Sequence, residues 1–524
     1  MRKQSYIPLI AAVSVIIGMA IGFFVLKKPD NSSSFALNTA AGNKIGYILN
    51  IIDHDYVDKT DKDSLTDEAI RCLLTELDPH SVYLTKEQVK NENDDLKGNF
   101  DGIGIQFRIV DDTIAVVRTI NGGPSEKAGI LAGDRIVKVD GRKLKNITND
   151  TVLHLLKGRK GSTVRLDIKR KGVDHLLGFT VKRDVIKTKA VAYYGMLDDI
   201  TGYIKLEEFT ANSHDEVASA LRALNKQGMK QLVFDLRNNG GGYLDQAVAI
   251  ADEFTAKGDL IVYTNGRLRG RSDSYATSGG LFEQGKLIVM INEMSASASE
   301  IVSGCIQDND RGIIAGRRTF GKGLVQEQRM LSDNSAVRIT VARYYTPSGR
   351  CIQRPYIKGD PDKYFEDFIT RFDDNMTDTV KHDEKLKYKT KKGRFVYGGG
   401  GIEPDITIPY TSLKRSEAFN SLFKNGLIYK YCFDYVDNNR NTFKQYSDGT
   451  DFLNRYNVSN DVYQKLISYA KTNGVQTGRL SASETEEIKQ LMKGYIAQSL
   501  YDDAFFYKIY TKLDNELQTV RQKF

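Results

Sequence analysis

The spacing of apolar positions divides this chain into regions of different kinds. The first is an uncharged, mainly apolar run from Ile7 to Leu26, with Arg2 and Lys3 before it and Lys27 and Lys28 after it. At about 20 residues it is long enough to cross a hydrocarbon core as a helix. A signal-peptide core is usually shorter, and no clear small-x-small cleavage site follows, so the run reads as an uncleaved signal anchor. Residues 1–6 are then a cytoplasmic stub, and residues 27–40 (KKPDNSSSFALNTA) a polar tether. Positive charge flanks both ends, so it orients the span only weakly. Residues 41–97 read as an N-terminal helical region. Ile45, Ile48, Leu49 and Ile52 share a helical face, and a second helix is predicted over Glu68–Glu76.

From residue 98 to 183 the period shortens. Gly102-Ile103-Gly104-Ile105 leads into strands predicted at Ile105–Ile109, Ile114–Val117, Arg135–Val139 and Val164–Lys169. Asn121-Gly122-Gly123-Pro124 and Asp140-Gly141 mark turns, and helices fall near Ser125–Ala128 and over Asn149–Leu156. This is a small β-rich domain. From residue 184 to 353 strands alternate with helices. Strands are predicted at Tyr203–Leu206, Leu232–Leu236, Leu260–Tyr263, Leu287–Ile291, Gly312–Ala315, Leu324–Gln328 and Ala336–Tyr345. Helices are predicted at Asp215–Asn225, at Leu244–Phe254 and after Ser297. The alternation predicts a largely parallel sheet with βαβ crossovers. Residues 354–394 are polar and charged and read as a surface insertion, after which 395–410 rejoin the core. Residues 411–524 read as a separate, mostly helical appendage, with Ile488, Leu491, Met492, Tyr495 and Ile496 at helical spacing. The fold class is multidomain α/β (α+β).

Composition narrows the partners. The 524 residues exceed one core, and 40% hydrophobic with 27% charged content is ordinary for a soluble globular body. A net charge of +8 without a long basic block gives no nucleic-acid footprint. Cys72, Cys305, Cys351 and Cys432 are scattered, without zinc-like spacing, and read as free thiols packed as small hydrophobes. No HExxH pattern occurs among the six histidines, and neither metal nor cofactor is expected.

Three segments offer chemistry. Ser295-Ala296-Ser297-Ala298-Ser299-Glu300 follows an apolar strand and opens a helix, which is how a nucleophile is presented above a sheet. The helix start also offers free N–H groups and a favourable dipole to a developing oxyanion. Ser297-x-x-Glu300 equally has the form of a capping box. Asp235-Leu236-Arg237-Asn238-Asn239-Gly240-Gly241-Gly242 bares backbone N–H groups suited to an oxyanion, or is a flexible turn. Gly316 to Lys322 matches GxxxxGK, but Gly323 replaces the hydroxyl that would hold Mg²⁺. The strand predicted at Leu324–Gln328 likewise replaces the required helix, so nucleotide binding is disfavoured. A desolvated Lys322 would instead serve as a general base toward a serine hydroxyl, whereas the plainer alternative is an exposed lysine in a turn.

Taken together these residues resemble the C-terminal processing peptidases, the tail-specific serine proteases. The resemblance covers roughly 45–353 and 395–410. It rests on Leu77-Asp78-Pro79-His80-Ser81-x-Tyr83-Leu84, the Gly102–Ile105 loop, Asn121–Gly129, Gly133-Asp134-Arg135-Ile136, Asp235–Gly242, Ser295–Glu300 and Thr319–Gln326 in order. It implies a PDZ domain at 98–183 that binds free C-terminal protein tails, with Gly102, Ile103, Gly104 and Ile105 holding the carboxylate. It implies Ser297 as nucleophile, Lys322 as base and Gln326 as the residue that orients the lysine. Gly241 or Gly242 with Ala298 would form the oxyanion hole, and Asp308 sits where some members carry a functionally important acid. Many members have Pro where this chain has Gly240. By analogy, the body lies in the bacterial periplasm, membrane-anchored, and a homodimer would form through the N-terminal helices. The competing reading is a catalytically idle PDZ scaffold.

Overall fold

The computed structural model describes residues 40–524 apart from 111, 278, 371–377, 379–381, 410–414, 476–477 and 479. The apolar run Ile7–Leu26 and residues 27–39 lie outside the described residues. No helix among the described residues is long and apolar enough to cross a membrane. The chain forms two units. One, up to Leu73, holds the helix Ala40–Asp55 and most of the helix Lys62–Thr75. The other, from Leu74 to Phe524, holds the remaining elements.

The central sheet of the larger unit has six strands. In order they are Val191–Met196, Thr201–Leu206, Gln231–Asp235, Lys286–Ile291, Ile313–Gly316 and Ile406–Thr407. All neighbours are parallel except the first pair. Strand side chains alternate between faces. Leu232, Phe234, Leu287, Val289 and Ile291 therefore enter one apolar cluster, under the helices Ser213–Lys226, Leu244–Asp252 and Ala298–Asp308. Val233, Ile288 and Met290 enter another, closed by Leu517 and Val520 of the last helix, Asn515–Arg521. The near-continuous apolar strands of the sequence thus reflect burial on both faces.

A second sheet forms around Ala336–Tyr345. Leu324–Met330, Leu260–Gly266 and Val82–Leu84 all pair with this strand antiparallel. The small β-rich domain has strands in the order Ile105–Val110, Thr113–Thr119, Arg135–Val139, Thr163–Lys169 and Leu177–Lys182. Its own apolar cluster includes Ile103, Ile114, Ile136, Val152 and Leu166. The helical region has a separate cluster, built on Phe419, Cys432, Phe452, Leu466 and Ile496 among others. Cys305 and Cys432 are buried free thiols, Cys351 is half-buried and Cys72 exposed.

Three expectations need correction. Residues 41–97 are not only helical, because Val82–Leu84 supplies a strand to the second sheet. A strand of three residues carries too little alternation to be seen in sequence. The 354–394 stretch is not merely a surface insertion. Its helix Pro361–Thr370 buries Tyr364, and the buried Arg354 guanidinium stacks 3.8 Å from the Tyr364 ring and 4.6 Å from that of Phe320. Nor is 411–524 a separate appendage, since its last helix is a layer of the core. Val233, Ile288 and Met290 announce a second covered face, but periodicity does not say what covers it.

Candidate active site

Parallel strands end on one side of their sheet, and the loops there converge. In this chain those loops are 236–243 after Gln231–Asp235, 292–297 after Lys286–Ile291, and 317–323 after Ile313–Gly316. The Ser297 turn is pinned to the glycine loop. Ser295 Oγ donates to the Leu236 carbonyl at 2.8 Å, Ala296 N–H to the Asn239 carbonyl at 3.0 Å, and Ser299 Oγ to the same carbonyl at 2.8 Å. Ser297 itself has φ 55° and ψ −110°, a backbone conformation L residues rarely adopt. Such a residue costs of order 1–3 kcal/mol and persists only where its surroundings over-determine it. The helix Ala298–Asp308 starts at the next residue, so the Ala298 N–H is one of its unpaired first-turn donors.

Gly241 presses directly on this turn. With φ +110°, a β-carbon there would stand 2.9 Å from both Ser297 Cβ and the Ala296 carbonyl oxygen. At Gly242, φ +141°, a β-carbon would overlap the Phe209 carbonyl. The Gly241 N–H donates to Asn239 Oδ1 at 2.9 Å, so it is already engaged. Of the two glycines expected to offer an oxyanion donor, only Gly242 therefore remains alongside Ala298.

Lys322 is brought to Ser297 by two side chains that hold both backbones. Glu300 accepts the Ser297 N–H at 2.8 Å and the Lys322 N–H at 2.9 Å on one oxygen. Its other oxygen accepts the Gly321 N–H at 2.7 Å and the Thr319 hydroxyl at 2.6 Å. The Tyr344 hydroxyl lies 2.7 Å from the Lys322 carbonyl and 3.1 Å from the Ser297 carbonyl. The Glu300 half of the capping box is thus present and has a second function, because the same carboxylate fastens the lysine loop to the serine turn. Four donors require Glu300 to act as an ionised acceptor, while complete burial pushes its carboxyl up to about 7.

Lys322 Nζ makes no hydrogen bond or ion pair among the described residues. Burial pulls its ammonium below the ordinary lysine value, and the Arg338 charge pulls the same way, against Glu300, Asp78 and Glu92. Leu324–Met330 follows Gly323 as a strand, which removes the nucleotide-loop reading. Gln326 lies on that strand beside a bulge, and its amide donates to the His80 carbonyl. His80 Nε2 lies 3.2 Å from the Tyr364 hydroxyl. Burial, followed by the Lys322 charge, holds His80 down at about 4, so it is neutral at physiological pH.

Asp308 is not brought to this site. It ends the helix that Ala298 begins, 11 residues or roughly 16 Å along its axis. Its buried carboxylate pairs with Arg350 at 2.7 Å and accepts the Ser348 N–H at 3.1 Å. In the β-rich domain Gly104 has φ +71°. The loop's carbonyls are taken internally: Ile103 accepts from Ser125 N–H and Oγ at 3.0 and 2.7 Å, and Gly104 accepts from the Ile120 N–H at 2.9 Å. The following strand, Ile105–Val110, is the sheet edge, open to strand addition by a peptide.

The residues that sequence reasoning missed are Glu300 as a bridge, Tyr344 and His80. Glu300 was visible as a capping-box partner, and His80 lay inside a quoted motif. Tyr344 carried no signal, being one aromatic in a strand.

A model of peptidase family S41 matches residues 200–362, a PDZ domain model matches 102–181, and a family of unknown function matches 418–502. The chain is 40% identical over 315 residues to a carboxy-terminal-processing protease of Bartonella bacilliformis, covering 59% of this chain and 72% of the relative. It is 32% identical over 370 residues to the carboxy-terminal processing protease CtpA of Bacillus subtilis, covering 68% and 77%. Among solved structures it is similar to a photosystem II D1 C-terminal processing protease, with 27% identity, TM-score 0.36, and coverage of 69% of this chain and 86% of that one. With its PDZ domain joined to an α/β peptidase core, the chain belongs to the carboxy-terminal processing proteases of peptidase family S41, which are serine-type peptidases.

Proposed function

We propose that this peptidase cleaves extracytoplasmic proteins whose free C-terminus is first held by the PDZ domain, with Ser297 as nucleophile and Lys322 as general base. The observation that carries the reading is the double bracket of Glu300 and Tyr344, which holds the Ser297 and Lys322 backbones together. The tail carboxylate is held by backbone N–H groups of Gly102–Ile105, and the preceding residues add as a strand to Ile105–Val110. The apolar cluster of Ile103, Val152 and Leu156 favours an apolar terminal residue.

At the core, neutral Lys322 accepts the Ser297 Oγ proton as Oγ attacks the scissile carbonyl carbon. The oxyanion is met by the N–H groups of Ala298 and Gly242. Lys322 then returns the proton to the leaving amine. Water, deprotonated by the same lysine, attacks the acyl-enzyme and releases the new C-terminus. Gln326 acts through His80, tying the segment 78–81 to the lysine strand. The test is tail cleavage by purified Ser297→Ala and Lys322→Ala. Both should lose turnover while keeping wild-type circular dichroism, and wild-type turnover in either folded variant would sink the assignment.

We also propose that Ile7–Leu26 anchors the chain in a membrane with its body outside the cytoplasm, most simply a bacterial periplasm. The support is the length of the apolar run and its charged flanks. Protease added outside intact spheroplasts should digest the body, and digestion only after lysis would reject this orientation. A homodimer through the Ile45, Ile48, Leu49 and Ile52 face would show as a concentration-dependent mass in sedimentation.

A further inference from the structure

Outside the reacting groups lies a second, buried ionic cluster. It is built from both the core and the last helix with its N-cap Asp514. Arg237 stands two residues before Asn239 and the glycine loop. Its guanidinium meets Asp235 at 2.6 Å, Asp514 at 2.6 Å and Glu516 at 2.7 Å. Arg317 stands two residues before Thr319, at the root of the lysine loop. It pairs with Glu293 at 2.9 Å, four residues before Ser297, and with the other oxygen of Glu516. One carboxylate therefore bridges the roots of both loops. Lys205 completes the cluster, donating to the Arg237 carbonyl and lying 3.8 Å from Asp235. Lys205, Asp235, Glu293, Arg317, Asp514 and Glu516 are all buried.

Such a cluster is a poor way merely to fasten a helix. Buried charges lose their hydration, and apolar groups of similar volume stabilise as well or better. The terminal helix already has apolar fasteners in Leu517 and Val520. What the ionic contacts add is direction, since bidentate arginine–carboxylate geometry tolerates little displacement. From Arg237 the constraint passes through Asn239, whose Oδ1 holds the Gly241 N–H and whose carbonyl holds Ala296 and Ser299. From Arg317 it passes to Thr319, which donates to Glu300.

We infer that Asp514 and Glu516 are positioning residues for the peptidase reaction, through which the C-terminal helical region sets the glycine loop and the lysine loop against Ser297. The inference rests on Ser297 and Lys322 being the catalytic pair. It extends the active centre into a segment that lies beyond the peptidase match at 200–362 and beyond the helical match at 418–502.

The test compares full-length Glu516→Gln and Asp514→Asn with Leu466→Ala, using a peptide substrate with a free apolar C-terminus and a fluorophosphonate label. Leu466 is fully buried in the helical region's own cluster, so its truncation destabilises that region without touching the ionic groups. Asn at 514 keeps a side-chain oxygen to cap the last helix, so this variant carries the test if Glu516→Gln does not fold. The expected result is a kcat loss of about 10- to 100-fold for the two cluster variants, with KM within about 2-fold and labelling of Ser297 slowed in parallel. Leu466→Ala should keep kcat at temperatures below its own melting. A kcat loss in the cluster variants no greater than in Leu466→Ala, with Ser297→Ala inactive, would overturn the positioning role alone. Turnover retained in Ser297→Ala would overturn the site assignment and this inference with it.

Discussion

Two glycine loops in this molecule are the proposed anion sites, and they are built to different tolerances. The PDZ loop around Gly104 abuts side chains. A β-carbon there would meet the free end of one side chain, Ile186 Cδ1, at 2.9 Å, with the ring carbon Pro124 Cδ looser at 3.3 Å. The core loop at Gly241 abuts backbone, with the Ala296 carbonyl at 2.9 Å and the Ala298 nitrogen at 3.1 Å, besides Ser297 Cβ. It is also anchored from outside, by Asn292, which accepts the Asn238 N–H, and by Asp514, which pairs with Arg237. A side-chain end yields by rotation and backbone does not. Holding a tail is therefore the softer task, and stabilising a transition state the stricter one.

The largest effect should come from Gly241→Ala. Its β-carbon forces Ala296 and Ala298 to move, so kcat should fall about 100- to 1,000-fold with little change in peptide KM, read by steady-state kinetics. An unchanged kcat would break the comparison.

Next is Glu300, which has no counterpart in the PDZ loop. Glu300→Gln places an amide N–H against N–H donors and should lower kcat about 100-fold. Acidification acts in the same direction. As pH falls through about 7, Glu300 takes up a proton and stops accepting the Ser297 and Lys322 N–H groups, so wild-type kcat should decline. Stability should run the other way. The folded carboxyl titrates at about 7, above its ordinary 4.5, so its contribution is full below 4.5 and is lost as pH rises through 7. That slope, worth roughly 3 kcal/mol by linkage, should flatten in Glu300→Gln when unfolding is followed across pH.

Gly104→Ala should be milder. The strain of φ +71° with one movable neighbour costs about 1 kcal/mol, so tail-peptide affinity should weaken roughly 5-fold by fluorescence anisotropy while kcat at saturation holds. Smallest should be Gly240→Ala, where no atom lies within 4 Å of the added carbon. Activity should stay within about 2-fold.

The elements of both loops were legible from local pattern. Alternation over Thr163–Lys169 and the apolar run Lys286–Ile291 depend on which faces are buried, and that is written into neighbouring residues. The Ser297 turn and the glycine loop were legible as small-residue turns between a strand and a helix, and the lysine loop as a turn between two strands. The misreadings share one cause. Asp308 and the 354–394 segment were judged by position in the chain, whereas their partners Arg350 and Phe320 are set by folding.

By itself, then, the sequence determined the PDZ and peptidase regions, the helical character of the C-terminal region, and which residue types the Ser297 turn and the lysine loop present. Only the tertiary structure decided that Glu300 and Tyr344 hold Ser297 and Lys322 together, and that Glu516 reaches both loop roots. The physical reason is the range of the forces involved. Periodicity and turn chemistry act over a few residues. A carboxylate that bridges Arg237 and Arg317 from position 516 closes loops of some 200 and 280 residues, and short-range pattern carries no trace of such contacts.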